Sequence, residues 1–228
     1  MTFDTTYGTN KALRPLGVFT GFHHHRGVVV FGAALSYDET AESFKWLFES
    51  FLDAHADKKP KTIFIDQDPA MAKALNEVMP NTWHGLCTWH IIQNGIKHLG
   101  NLMKDGSSFL WVFKTCMFEY EDENDLKKSW EEMIDTYATY DRSWLDGIYK
   151  MKKKWANCYM KNNFTLRVQS TPLSESLNGD LKAYLISDLA KYYMKNTFWR
   201  KVWAKCYMDS VQFFNILNGW VSKNDIES

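Results

Sequence analysis

The sequence predicts an α/β domain with a mixed five-stranded sheet flanked by helices and interrupted by an all-helical insertion. Three observations carry this. Three apolar, β-branched segments follow one another near the N-terminus, as in a meander. Helix-like and strand-like segments then alternate, which is the pattern of a sheet with helices on both faces. Beyond residue 90 the strand pattern stops, and amphipathic stretches rich in Trp, Lys and Glu take over.

The elements follow in order. Phe3–Tyr7 reads as a short first strand. Leu16–His23 and Val28–Leu35 are the next two, joined by a hairpin turn at His24–Gly27. Ser36–Thr40 opens a helix whose apolar positions Phe44, Leu47, Phe48, Phe51 and Leu52 keep helical spacing. Pro60 interrupts, and Thr62–Ile65 reads as a fully buried fourth strand ending at Asp66. Ala70–Val78 is a second helix and Thr82–Leu86 the fifth strand, with a further helix from near His90. On this basis residues 1–90 form the first part of the core and 91–165 the helical insertion. Residues 166–228 are C-terminal helices completing the core, with one from Ser174 through Leu185 and an aromatic-rich one over Trp199–Trp220.

Composition narrows the classes. Apolar residues make up 45% of the 228, with ten Trp, eleven Tyr and fifteen Phe, enough to build a core and to exclude global disorder. No run of about 18 apolar residues occurs, so no membrane-spanning helix is expected. The first residues lack the basic and apolar regions of a secretory signal. Cys87, Cys116, Cys158 and Cys206 are spread in a way that suits a reducing compartment. The net charge is zero, but residues 145–205 carry +8 and residues 1–144 carry −6. The basic stretch could face phosphates, or its charges could be solvated helix faces.

The acidic residues suggest chemistry. Asp4 lies on the first strand and Asp66 at the end of the fourth. In a ribonuclease-H-like sheet those strands are neighbours, so the two carboxylates meet at one edge. A third acid, Glu175, would come from the late helix. Converging carboxylates repel unless divalent cations lie among them, and three can hold two magnesium ions about 4 Å apart. One ion lowers the pKa of an attacking water or 3′-hydroxyl, and the other stabilises the leaving oxygen. The bland reading is that aspartate is common at strand ends and glutamate at helix starts.

A resemblance sharpens this. Asp4–Lys11, Pro15–Leu16, Gly21 and His24–His25 resemble the opening of Mutator-like transposase domains in the plant far-red-impaired-response family. Phe31–Leu35, Asp38–Thr40, Ser43–Phe44 and Trp46–Phe48 continue the likeness. So do Asp66–Asp68 with Ala70–Met71, Pro80, Cys87–Ile91 and Ser174–Asn178. The resemblance spans about residues 3–215. It implies the ribonuclease-H-like fold and a helical insertion matching 91–165. It also implies Asp4, Asp66 and Glu175 as the acidic triad, active or vestigial, holding magnesium or manganese. Asp68 is the nearest competitor for the second place.

By the same resemblance the chain is a domesticated transposase-derived nuclear protein, a regulator of transcription of the light-response type or a truncated form of one. The alternative is an active transposase using two metal ions. The family's DNA-reading zinc module and terminal zinc finger lie outside the resemblance. The chain alone is therefore expected to contact DNA weakly or indirectly and to act through full-length relatives or a second copy of itself. No small-molecule substrate is expected.

Other clusters yield less. Cys87 and His90 form a Cys-x-x-His pair that could supply two zinc ligands, with His84, His98 and Cys116 as candidates for the rest. A buried thiol beside a helix-start histidine is the ordinary alternative. His23–His25 reads as an exposed turn. Lys150–Lys154 could be a nuclear import signal or a solvated helix face. Trp111, Trp130, Trp144, Trp155, Trp199, Trp203 and Trp220 are read mostly as core, with base stacking open to one or two.

Overall fold

The computed structural model describes residues 1–6, 15–22, 28–137, 141–161 and 163, which fall into two compact units, Met1–Thr82 and Trp83 onward. His23–Gly27, Glu175, Cys206 and the helices expected beyond residue 170 lie outside the described residues.

The strands are β1 (Thr2–Thr6), β2 (Leu16–Phe22), β3 (Val28–Leu35), β4 (Thr62–Ile65) and β5 (Trp83–Leu86). They form one five-stranded sheet in the order β3-β2-β1-β4-β5. β2 pairs antiparallel with both β1 and β3, while β1 pairs parallel with β4, so the sheet is mixed as expected. An irregularity between Phe19 and Thr20 leaves Phe31 of β3 as the extra residue, and the Phe31 ring then lies against Gly21.

The first unit is built on phenylalanine. Phe3, Phe19, Ile63 and Ile65 point to one face of the sheet and meet Phe44, Leu47, Phe48, Phe51, Met71 and Leu75 from helices α1 (Ala41–Ala54) and α2 (Pro69–Val78). The Phe3 ring is 4.5 Å from that of Phe19 and 5.2 Å from that of Phe48. It crosses β2 at Gly17, where a Cβ would come within 2.9 Å of it, so only glycine leaves room. Leu16, Val18 and Phe64 bury the opposite face. Among the described residues α1 and α2 share one face of the sheet.

Capping decides where these helices begin. α1 starts at Ala41, after the Ser36–Thr40 stretch, because Thr40 accepts from the Ser43 amide at 3.2 Å. Asp38 accepts from Thr40 and Ser43, and these hydrogen bonds hold its carboxyl below the usual carboxylate range. α2 starts at Pro69, whose fixed φ and missing N–H suit the first helical position.

In the second unit helices follow β5 without a further strand among the described residues. They are α3 (Thr88–Leu99), α4 (Ser108–Phe118), α5 (Glu123–Thr136), α6 (Arg142–Lys150) and the short α7 (Asn157–Met160). Single 3-10 turns occupy Gly100–Met103 and Lys152–Lys154. α3 starts at Thr88, two residues ahead of the expected His90. Their core is mixed rather than phenylalanine-rich. Phe109, Phe113, Met117, Leu126, Trp130, Met133, Ile148 and Trp155 are its main buried members. Trp155 is fully buried and its indole donates to the Ile148 carbonyl at 2.8 Å. Trp111 departs from the expected core role and is 70% exposed.

Candidate functional site

Asp4 and Asp66 are brought together by strand register. Thr2 of β1 is the parallel partner of Phe64 of β4, and the Phe64 amide donates to the Met1 carbonyl at 2.9 Å. Carried two residues along, that register would set Asp4, in the middle of β1, beside Asp66, which follows the last residue of β4. Alternation along β1 sends Phe3 into the core, and Asp4 to the other face with Thr2. Both aspartates are half-buried. Asp66 also accepts from the Gln67 amide at 2.6 Å, which fixes one of its oxygens.

Asp68, the competitor, has another task. Its carboxylate caps α2 by accepting from the Met71 amide at 2.7 Å. That is a structural role typical of an aspartate before a helix. Sequence spacing placed it two residues from Asp66 without revealing this division of labour. Glu175 lies outside the described residues, so the geometry of the third acid is not part of this site. Among the described residues no three His, Cys, Asp or Glu side chains gather as a metal set. The aligned Asp4–Asp66 pair has the donor chemistry of part of a magnesium or manganese site, since hard divalent cations take carboxylate oxygens.

Cys87 and His90 lie at the strand-to-helix junction of the second unit. Cys87 is buried and occupies the cap position of α3. His90 follows in the first turn, its ring 4.8 Å from that of Trp89 and edge-on to it. The residues considered as further zinc ligands are engaged elsewhere. Cys116 donates to the Ser129 hydroxyl at 3.6 Å, and burial pushes its thiol pKa up. His98 meets the Asp141 carboxylate at 2.9 Å and stacks on Trp144. His84 contacts Lys154. The described cysteines, Cys87, Cys116 and Cys158, are free thiols.

The lysine run is not a solvated face throughout. Lys150 and Lys153 are exposed, but Lys152 turns inward to Glu123 at 3.2 Å and the Tyr149 hydroxyl at 3.3 Å. Burial opposes the charge on Lys152, yet its hydrogen bonds with Tyr149 and Glu123 win and hold its pKa above the ordinary lysine value. Burial and Glu123 push the nearby Tyr159 phenol up to about 12.

Residues 1–94 match the MULE transposase domain family. The chain is 32% identical over 200 residues to Protein FAR1-RELATED SEQUENCE 5 of Arabidopsis thaliana, covering 86% of this chain and 25% of that protein. It is 30% identical over 185 residues to Protein FAR-RED IMPAIRED RESPONSE 1 of the same plant, covering 81% of this chain and 22% of that one. Protein FAR1-RELATED SEQUENCE 7 gives 32% over 162 residues, with 71% of this chain and 21% of that protein. The chain thus spans about a quarter of the length of these relatives.

Proposed function

The chain belongs to the FAR1-related family of MULE-transposase-derived proteins, and on that premise we propose that it serves as a nuclear regulator of transcription. The observation that carries this reading is 32% identity across 86% of the chain to a FAR1-related protein. The name of a second relative, FAR-RED IMPAIRED RESPONSE 1, points to the light-response branch of such regulation. In this reading the sheet is a scaffold, and the acidic pair is an inheritance from an enzyme. Full-length relatives or a second copy of the chain are the partners through which it reaches DNA.

The second reading, an active transposase, is favoured by the alignment of Asp4 with Asp66. Asp4, Asp66 and, outside the described residues, Glu175 would hold magnesium or manganese, which supplies an activated hydroxyl and a stabilised leaving oxygen. The chain's own part is to hold two carboxylates at one end of a rigid sheet, where the strands leave them no freedom to spread apart. Fold and site geometry can persist after activity is gone, so the pair alone does not choose between the readings.

One experiment separates them. A plant-cell reporter driven by the full-length protein is measured with the wild type and with an Asp4→Asn, Asp66→Asn double variant, alongside excision of a donor flanked by terminal inverted repeats. The regulator reading expects unchanged reporter output from the double variant and no excision from either. Excision that the double variant abolishes would establish the transposase instead.

A further inference from the structure

Lys154 is a partly buried cation of the second unit that meets a histidine rather than a carboxylate among the described residues. Lys154 ends the 3-10 turn Lys152–Lys154, and its ammonium lies against His84 Nε2 on β5. An ammonium carries three donor protons. Here one is directed at His84, and among the described residues no carboxylate pairs with this lysine. Lys152, two residues earlier, has Glu123 for that purpose. Both Lys154 and His84 are partly buried, so neither side chain is fully hydrated. Lys154 is the charged group that acts on His84, and Lys152 on the same turn is committed to Glu123.

We propose that Lys154 and His84 form a binding site for a phosphate group. The chemistry fits such a ligand closely. Phosphate oxygens accept from the ammonium directly and from imidazole Nε2 once that nitrogen carries a proton. In the present arrangement the imidazole is kept neutral and is the acceptor that the lysine meets among the described residues. An arriving anion replaces that acceptor, and once the imidazole takes up a proton the anion lies between two cations that would otherwise repel. Partial burial strengthens the contact relative to a free surface lysine. The site holds for a regulator and for a transposase alike, since it uses neither Asp4 nor Asp66.

The phosphate could be free or part of a nucleic-acid backbone, and the test distinguishes them. His84 is followed by NMR through a pH titration of the whole chain, in chloride of matched ionic strength, with inorganic phosphate, or with a short mixed-sequence DNA duplex. Without phosphate His84 titrates at about 4, because burial and then Lys154 disfavour its charge. Bound phosphate is expected to raise that midpoint by roughly one unit or more. A second measurement works at neutral pH. Phosphate should slow acylation of the Lys154 amine several-fold while leaving Lys153 labelling unchanged. Lys154→Gln should remove the phosphate-dependent shift, and Lys153→Gln should keep it. Response to inorganic phosphate assigns a free-phosphate site, and response to the duplex alone assigns backbone phosphates. If neither ligand moves His84 or protects Lys154, or if Lys154→Gln responds as the wild type does, the proposal is overturned.

Discussion

The two units hold themselves together differently. The first is a sheet and two helices closed around stacked phenylalanines, with local caps at Asp38 and Asp68 and two longer-range side-chain pairs, Thr5 with Glu39 and Lys45 with Glu77. The second joins elements far apart in sequence through polar pairs: His98 with Asp141, Lys152 with Glu123, and Lys154 with His84. The difference has a functional side. Carboxylates that must stay in register belong on a unit whose geometry is set by packing, because packing is insensitive to salt and pH. A unit tied by charge responds to both.

The largest expected effects test the packing on each side. Phe3→Ala removes a ring, 1% exposed, that touches Phe19, Phe44 and Phe48, and should cost about 3–5 kcal/mol. Hydrogen exchange should show the loss in α1 and α2 amides. Trp155→Ala should cost a similar amount, about 3–5 kcal/mol, seen in α5 and α6 amides, because that indole is fully buried beside Trp130. Trp155→Phe separates packing from hydrogen bonding. It keeps most of the volume but removes the indole hydrogen bond to the Ile148 carbonyl, which still accepts from the Met151 amide, at about 0.5–1.5 kcal/mol. If Phe3→Ala loosened both sets of amides equally, the contrast between the units would fail.

The sequence was most informative where burial is one-sided and periodic. Phe44, Leu47, Phe48, Phe51 and Leu52 announce α1 by spacing, and Thr62–Ile65 announces β4 by reading as buried throughout. Asp4 and Asp66 were legible as candidates because one lies on the first strand and the other ends the fourth, and the resemblance chose them. Their register was not legible, since it depends on which residue of β1 faces which of β4, a tertiary choice fixed by Thr2 opposite Phe64. Charge in the second unit was least legible. Lys150–Lys154 reads as one basic run, yet a 3-10 turn sends Lys152 to Glu123 and Lys154 to His84 while Lys153 stays in solvent. Trp111 fails for a related reason: a tryptophan in an apolar helix looks buried until the helix's outward side is known.

The next effect is in pH, and between pH 6.5 and 4 it is expected from His84 of the second unit. His84 titrates at about 4 in the folded chain against an ordinary 6.5, because burial and then Lys154 disfavour its charge. The unfolded chain therefore binds more protons between those values. Stability is fully present above pH 6.5 and falls as pH drops toward 4. Glu123 is held low chiefly by hydrogen bonds from Tyr159 and Lys152, and Asp141 chiefly by the Trp144 amide and His98. Their contributions are lost only at lower pH, below the ordinary carboxylate values of 4.5 and 3.8. His84→Gln should flatten the loss between pH 6.5 and 4 and leave the acid limb in place. A thermal melt of that variant with the same slope in this window as the wild type would show that His84 is not the group responsible.

The smallest effect sharpens the reading of the first unit's acids. Asp66 and Asp68 are two residues apart and chemically identical, but only Asp68 caps a helix. Asp68→Ala leaves the Met71 amide without its acceptor and should cost about 1 kcal/mol, with faster exchange confined to the first turn of α2. Asp66→Asn should cost little, because an amide oxygen still accepts from Gln67. It should lower any magnesium or manganese affinity, since a neutral oxygen replaces a carboxylate at the carboxyl end of β4. Isothermal titration with manganese on the two variants reads this directly. Loss of manganese binding in Asp68→Ala with retention in Asp66→Asn would exchange their roles. The register of Asp4 with Asp66 would then be a feature of strand pairing alone.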